Sequence, residues 1–559
     1  MKLKSTVLLI IFALGTSLFA QVAPDKYYIQ FTDKNDSPYS VNEPELFLSQ
    51  RAIDRRAKYD IPISEEDLPV NPAYIQGVAD LGAGILNPTK WMNGVTVYTS
   101  DPTVIDSIAE LPYVASLVKL PEINMGQLKK DFFANESIDK ADMDDVVRNL
   151  KSRSVDYGGS GPQIEQLNGV LLHNQGFMGE GMVIAVLDGG FRGTDEHPFF
   201  DSLFMNNRML GTKDFVTPGA SVYTDSGHGN SVLSTMAAFS PGQMIGTAPR
   251  ASYWLLRSED VNSENIIEEY NWVSAAEYAD SVGADVINSS LGYIDFDNPA
   301  FDHTYEDMDG MTNVSTRGAD KAVEKGIMVV NSAGNSGNDP SFPYIGAPAD
   351  GFNVFSIGAV DPDGFRASFS SIGPTYDGRF KPVVDATGQS TFVAYGSSDA
   401  GYGNGTSFSS PVIAGMTACL MQAHPEMTVL EVQDALKENG SQSTSPDNLL
   451  GWGIPDYFDA STTLTSIEIN RKPSNALIEA FPNPFGDMLT LKLNLDTVEI
   501  VTIDVIGSSG EIVFSQNYSL SKTNNIVQID HVAAQLRGGI YYVRVVSKQS
   551  TEVIKIIKQ

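Results

Sequence analysis

The sequence predicts an α/β domain with a mostly parallel central sheet across residues 163–460. A small α+β unit precedes it and a small antiparallel β-sandwich follows. Two patterns carry this prediction. Met182-Val183-Ile184-Ala185-Val186-Leu187 is apolar without a break and ends in Asp188, as expected of a strand covered on both faces. Looser versions recur at 284–288, 327–330 and 354–360, and helical periodicity separates them at 228–239, 265–281 and 317–325. Such alternation implies parallel strands with helices on both faces, and ligands that bind beyond the carboxyl ends of the strands.

The flanks differ from this core. Residues 1–20 place Lys2 and Lys4 before the apolar run Val7–Leu14 and end in Ala20, the pattern of a secretory signal cleaved after Ala20. Residues 21–120 read as an α+β unit, with strands at 27–31, 95–98 and 114–118 and helices at 43–56 and 102–110. Residues 121–162 are charged and then glycine-rich, ending in Gly158-Gly159-Ser160-Gly161-Pro162. That composition predicts a linker open to proteolytic processing, with Arg153 to Gly159 the expected place. Residues 461–559 turn into short alternating segments at 489–493, 498–505, 511–514 and 539–546, the pattern of a β-sandwich.

The 559 residues carry 69 acidic and 37 basic side chains, a formal net charge of −32. That balance excludes a nucleic-acid partner. Cys419 is the only cysteine, so there is no disulfide framework, and its apolar setting predicts a buried, inert thiol. His173, His197, His303, His424 and His531 have no metal-ligand spacing, which argues against a zinc hydrolase.

The chemistry centres on Gly405-Thr406-Ser407-Phe408-Ser409-Ser410-Pro411, which leads into an apolar helical run. Pro411 is expected in the first turn of that helix, where a missing N–H costs nothing. Ser407 at a helix mouth would lie among backbone donors that favour an oxyanion. By itself such a serine reads equally as a helix cap. Three further residues of the same domain favour chemistry. Asp188 ends a core strand, His228 lies in Asp225-Ser226-Gly227-His228-Gly229-Asn230, and Asn335 lies in Ser332-Ala333-Gly334-Asn335 just after a strand. A serine hydroxyl needs an imidazole to take its proton. The imidazole needs a carboxylate on its other nitrogen, and the oxyanion needs N–H donors.

These four blocks, in the order Asp, His, Asn, Ser, resemble the signature motifs of the subtilisin-like serine proteases. The resemblance implies a subtilisin-like three-layer domain and a secreted endopeptidase acting on proteins and peptides. It implies Asp188, His228 and Ser407 as the catalytic triad and Asn335 as the oxyanion donor. It also implies that Ser290, Leu291, Gly292 and Gly334 line the substrate. His197-Pro198 and Gly246-Thr247-Ala248-Pro249 fit the same pattern. The chain departs from it with Gly189 after the aspartate, Asn230-Ser231 after the histidine block, and Phe408 where many subtilisins place a methionine. The position of the 21–120 unit is similar to that of the family's propeptides. It implies a ferredoxin-like inhibitory fold that occupies the cleft until it is cut.

Ala480-Phe481-Pro482-Asn483-Pro484-Phe485 and the C-terminal Gly539-Ile540-Tyr541-Tyr542-Val543-Arg544 stretch resemble the sorting domain of the type IX secretion system of Bacteroidetes. That resemblance implies the outer-membrane secretion machinery as a partner and an extracellular or cell-surface destination. A ligand-binding β-sandwich is the other reading. No cofactor is required for this chemistry. The acidic stretch Asp295 to Gly310 has enough oxygen ligands for a structural calcium ion, and reads equally as an acidic loop. Two other functions remain open on sequence: a binding protein on an inactive protease scaffold, and a serine hydrolase acting on esters alone. The second lacks a nucleophile elbow and has the wrong triad order.

Overall fold

The computed structural model describes residues 25–120, 133, 136–141, 155–470, 478–493, 499–507, 511–521, 525–547 and 551–558. The expected export signal and much of the 121–162 connector lie outside the described residues. The chain divides into two units, 1–464 and 465–559.

In the first unit, residues 25–120 form a four-stranded antiparallel sheet in the order Gly84–Thr89, Gly94–Thr99, Asp25–Phe31, Val114–Leu120. Ile29, Phe31, Val95 and Val97 bury one face against Val78 and Ile108 of the helices Pro72–Asp80 and Pro102–Ala109. The helix expected over 43–56 is instead two pieces, a 3₁₀ turn at Pro44–Leu46 and a helix at Gln50–Lys58. The break falls where the Ser49 side chain accepts from the Ala52 N–H and starts a new helix. The Pro72–Asp80 helix and the Gly84–Thr89 strand were not anticipated; Pro88 within the strand hid it.

The α/β core has seven parallel strands in the order Val384–Thr387, Phe355–Val360, Met328–Ser332, Val286–Ser289, Val183–Asp188, Ser252–Arg257, Met209–Asp214. Val183–Asp188 is buried at every residue, which is why its sequence shows no alternation. Helices His228–Ala237 and Thr406–Ala423 pack on each other, and Thr406–Ala423 lies across the strands beginning at Val286, Met328, Phe355 and Val384. Helices Ile267–Val282 and Val314–Glu324 pack together and complete the layers. The hairpin Thr391–Tyr395 and Asp399–Asn404 leads straight into the Thr406 helix.

The 25–120 unit is held to the core through buried charge on helix Ile267–Val282. Asp280 is fully buried and meets Arg55 at 2.6 Å, Arg56 at 2.9 Å and Lys90 at 2.7 Å. Three cations hold its carboxyl well below the ordinary range despite the opposing effect of burial. Glu277 accepts from the backbone N–H groups of Lys90 and Trp91 at 2.6 and 2.9 Å. The apolar sequence pattern gave no sign of these buried acids, because their partners lie about 190 to 230 residues away.

The second unit is an antiparallel sandwich. One sheet holds Ile478–Phe481, Thr490–Leu493 and Ile526–Gln528. The other holds Ile512–Leu520, Glu499–Gly507, Gly539–Val546 and Thr551–Lys558. Val501, Ile503 and Val505 alternate inward onto Leu491, Leu493, Val543 and Val545. Among the described residues, no helix is long and apolar enough to cross a membrane.

Candidate active site

Asp188, at the carboxyl end of a central strand, is fully buried and accepts from the Gly189 N–H at 2.7 Å. The chain then turns through Gly190, at φ +145°, where a Cβ would stand 2.8 Å from the Ser226 nitrogen. That close approach lets the Gly190 carbonyl accept from the Gly229 N–H at 2.9 Å, tying the aspartate loop to the first turn of the His228 helix. His228 Nδ1 consequently lies 2.9 Å from both carboxylate oxygens of Asp188.

Ser407 is the second residue of the Thr406–Ala423 helix, so Pro411 lies inside that helix and not in its first turn. This corrects the expected start. Proline at 411 has no N–H for the Ser407 carbonyl four residues back, and the Ser290 hydroxyl donates to that carbonyl at 2.9 Å instead. Ser290 is in turn reached by the Asn288 amide at 3.3 Å. The Ser407 hydroxyl donates to the Ser290 carbonyl at 3.4 Å.

Asn335 follows the Met328–Ser332 strand. Its Oδ1 accepts from the Thr406 N–H at 2.9 Å and the Thr406 hydroxyl at 3.0 Å. Gly334, at φ +107°, donates its N–H to the same hydroxyl at 3.1 Å, and a Cβ there would meet Ser371 Oγ at 2.9 Å. With Oδ1 so engaged, the amide Nδ2 is free to point into the cleft. Leu291 is buried and its carbonyl accepts from Asn331, while Gly292 is half-buried beside it. The structure thus brings Asp188, His228, Asn335, Gly334, Ser290 and Ser407 to one cleft at the carboxyl ends of the strands.

The group that meets both His228 and Asn335 was not anticipated. Glu136 Oε2 is 2.9 Å from His228 Nε2, and Glu136 Oε1 accepts from Asn335 Nδ2 at 3.0 Å. Phe133 stacks on the His228 ring with centroids 3.8 Å apart. Burial disfavours the imidazolium, but the Asp188 and Glu136 carboxylates on its two nitrogens overcome this and hold its pKa up to about 10. Nothing in the local sequence marks Glu136, one of several acids in a charged connector. Thr406 was also passed over, although it stands inside the serine motif.

A second acidic group is buried nearby. Glu259, Glu264 and Glu268 each offer a carboxylate oxygen within 4.8 Å of the others and could coordinate a divalent cation. Glu259 Oε1 has no hydrogen-bond partner among the described residues, and burial pushes the Glu259 carboxyl up to about 8 and that of Glu268 well up. The carboxylates of the 295–310 loop are used differently. Asp302 accepts from the Phe296 N–H, Asp307 from the Thr304 N–H, and Asp309 from the Met311 and Thr312 N–H groups.

Three family models match the chain: the subtilase family at residues 179–453, the peptidase S8 propeptide domain of Bacteroidota at 26–135, and the secretion system C-terminal sorting domain at 479–559. Subtilisin NAT of Bacillus subtilis subsp. natto is 32% identical over 330 residues, covering 58% of this chain and 75% of its own length. Subtilisin of Bacillus pumilus is 32% identical over 293 residues, 52% of this chain and 93% of its own. Alkaline protease of Alkalihalobacillus alcalophilus is 27% identical over 328 residues, 57% of this chain and 75% of its own. The chain belongs to the subtilase family, and is a serine-type endopeptidase that matures with the help of its propeptide and is secreted by way of a type IX sorting domain.

Proposed function

We propose that the protein hydrolyses peptide bonds through an Asp188-His228-Ser407 triad and an acyl-enzyme. The observation that carries this is the meeting of His228 Nε2 and Asn335 Nδ2 on one carboxylate, that of Glu136. The base and the oxyanion donor therefore converge on one spot, the place a tetrahedral carbon would fill. Once Glu136 withdraws, rotation of the Ser407 side chain from the Ser290 carbonyl presents its hydroxyl to Nε2. Ser407 Oγ attacks the substrate carbonyl carbon as His228 takes its proton, and Asp188 supports the cation through Nδ1. Asn335 Nδ2 and the Ser407 N–H hold the oxyanion. His228 then gives the proton to the leaving amine. Water repeats the sequence on the ester and frees Ser407.

The substrates are proteins and peptides, lying as an added strand along Ser290-Leu291-Gly292 and facing Gly334. In this reading residues 1–20 leave on export, 21–120 act as the inhibitory propeptide, and 121–162 carry the processing bonds. Residues 163–460 are the catalytic domain and 461–559 the sorting domain. A calcium ion at Glu259, Glu264 and Glu268 would be structural, binding as their protons leave.

The test is stoichiometric labelling of the mature enzyme with a fluorophosphonate, followed by peptide mass mapping. The modification is expected on Ser407 and absent after His228→Ala. A label elsewhere would reject the triad.

A further inference from the structure

The side chain of Ser290 ties the helix that bears Ser407 to the edge proposed to take the substrate, and it stands at one end of a longer buried chain of polar groups. Strand Val286–Ser289 packs against helix Thr406–Ala423. Side chains alternate along the strand, so Ser289 turns the other way and accepts from Trp272 Nε1 at 2.9 Å. Asn288 and Ser290, two apart, meet the helix instead. Ser407 and Ser410, three apart on that helix, share the face that meets them. All four residues are fully buried.

The hydrogen bonds of this group run in one direction only. The Ser407 carbonyl has lost its helical donor to Pro411 and can only accept, so the Ser290 hydroxyl gives its proton there at 2.9 Å. Ser290 Oγ must then accept, and Asn288 presents its Nδ2 donor to it at 3.3 Å. That orientation turns Asn288 Oδ1 to Ser410, whose hydroxyl donates to it at 3.0 Å. Donors therefore point in order from Ser410 through Asn288 and Ser290 to the Ser407 carbonyl. Away from water each of these bonds polarises the next. The Ser290 carbonyl also accepts from the Ser407 hydroxyl, so the two serines are joined in both senses.

We propose that Asn288, Ser290 and Ser410 are positioning residues for the reaction: an ordered relay of hydrogen bonds that replaces the helical bond missing at Pro411 and fixes Ser407 against the Ser290-Leu291-Gly292 edge. The relay rests on the reading of Ser407 as nucleophile, and it acts through the Ser407 backbone. Without it the first turn of the helix is free to shift, and a displacement of about 1 Å between hydroxyl and scissile carbonyl is enough to slow acylation. The edge keeps its backbone groups, so substrate binding is left as it was.

The test uses enzyme matured from the full-length chain, with kcat and KM on a peptide amide measured per active site counted with a fluorophosphonate. Ser290→Ala is expected to lower kcat about tenfold, with KM within about twofold of the parent. In Ser290→Ala/Pro411→Ala the N–H gained at 411 supplies the donor that the carbonyl lacks, and kcat is expected to return to within about threefold of the parent. A merely structural role would lower the melting temperature and leave kcat unchanged, and that result overturns the relay. A change in KM alone overturns it too, as does a double variant no faster than Ser290→Ala. Ser410→Ala, a milder change at the far end, carries the same test should Ser290→Ala not fold: kcat is expected to fall about threefold, and an unchanged kcat overturns the relay. The site of the label in the parent decides the triad separately. A label away from Ser407 rejects the triad and the relay together, whereas a Ser407 label with parent-like Ser290→Ala kinetics rejects the relay alone.

Discussion

Glu136 Oε2 stands 2.9 Å from His228 Nε2, the ring nitrogen opposite the one that meets Asp188. The same contact explains why the serine hydroxyl turns to the Ser290 carbonyl at 3.4 Å. The proposed triad therefore has its acid side assembled, while His228 Nε2 is paired with Glu136 and the Ser407 hydroxyl with the Ser290 carbonyl.

That contact gives the precursor a pH dependence of definite sign. His228 is faced by the Asp188 and Glu136 carboxylates and by the uncharged Phe133 and Phe408, and its pKa is raised to about 10. A group raised on closing contributes most below its ordinary pKa, and that contribution is lost as pH rises through the raised value. Fluorophosphonate labelling of the uncut chain should therefore accelerate from neutral pH towards 10. A rate that is flat or falls over this range would contradict the charge pairing. Processed enzyme, with one carboxylate fewer at the ring, should instead lose activity on the acid side as His228 protonates.

Removing the partner of several buried cations is costly. Asp280→Asn would leave Arg55, Arg56 and Lys90 without their shared carboxylate. The precursor should be destabilised by about 3–5 kcal/mol, with the stability of processed enzyme little changed. Thermal melts of both forms check this, and equal losses in the two would place Asp280 in the catalytic domain's own stability.

Phe408 is almost fully buried, with its ring centroid 6.0 Å from that of His228. A phenyl ring beside His228 has no thioether to oxidise. Activity should survive peroxide treatment that inactivates a Phe408→Met variant within the same time. Equal loss in both proteins would count against this account.

A chelator should lower the melting temperature of the processed enzyme, and added calcium should restore it. Glu268→Gln should abolish both effects if the ion sits at the three buried glutamates. A chelator response that survives this substitution would move the ion elsewhere.

The parallel core and the four residues Asp188, His228, Asn335 and Ser407 that the structure brings to one cleft were legible because each depends on local pattern. The run 183–187 is apolar on both faces, and the glycines around Asp188, His228, Asn335 and Ser407 mark close backbone approach. Phe392 and Ser252-Tyr253-Trp254-Leu255-Leu256-Arg257 belong to strands that the sequence did not isolate, since short apolar segments carry little periodicity. Pro411 was misplaced because proline usually marks a first turn, whereas here Ser290 satisfies the carbonyl that proline frees. Glu136, Glu277 and Asp280 were illegible for a different reason. Each is an ordinary acid in sequence, and its role comes from partners 92 to 225 residues away.

The most direct test is a single substitution in the full-length chain. Ser407→Ala should abolish hydrolysis of added protein, with kcat lowered by a factor on the order of 10⁶, the size established for subtilisins. It should also leave the 121–162 connector uncut while the protein stays folded. Intact-mass spectrometry of the purified variant reads the second result. A folded Ser407→Ala chain that still cuts its own connector and still digests protein would contradict the assignment of Ser407 as nucleophile.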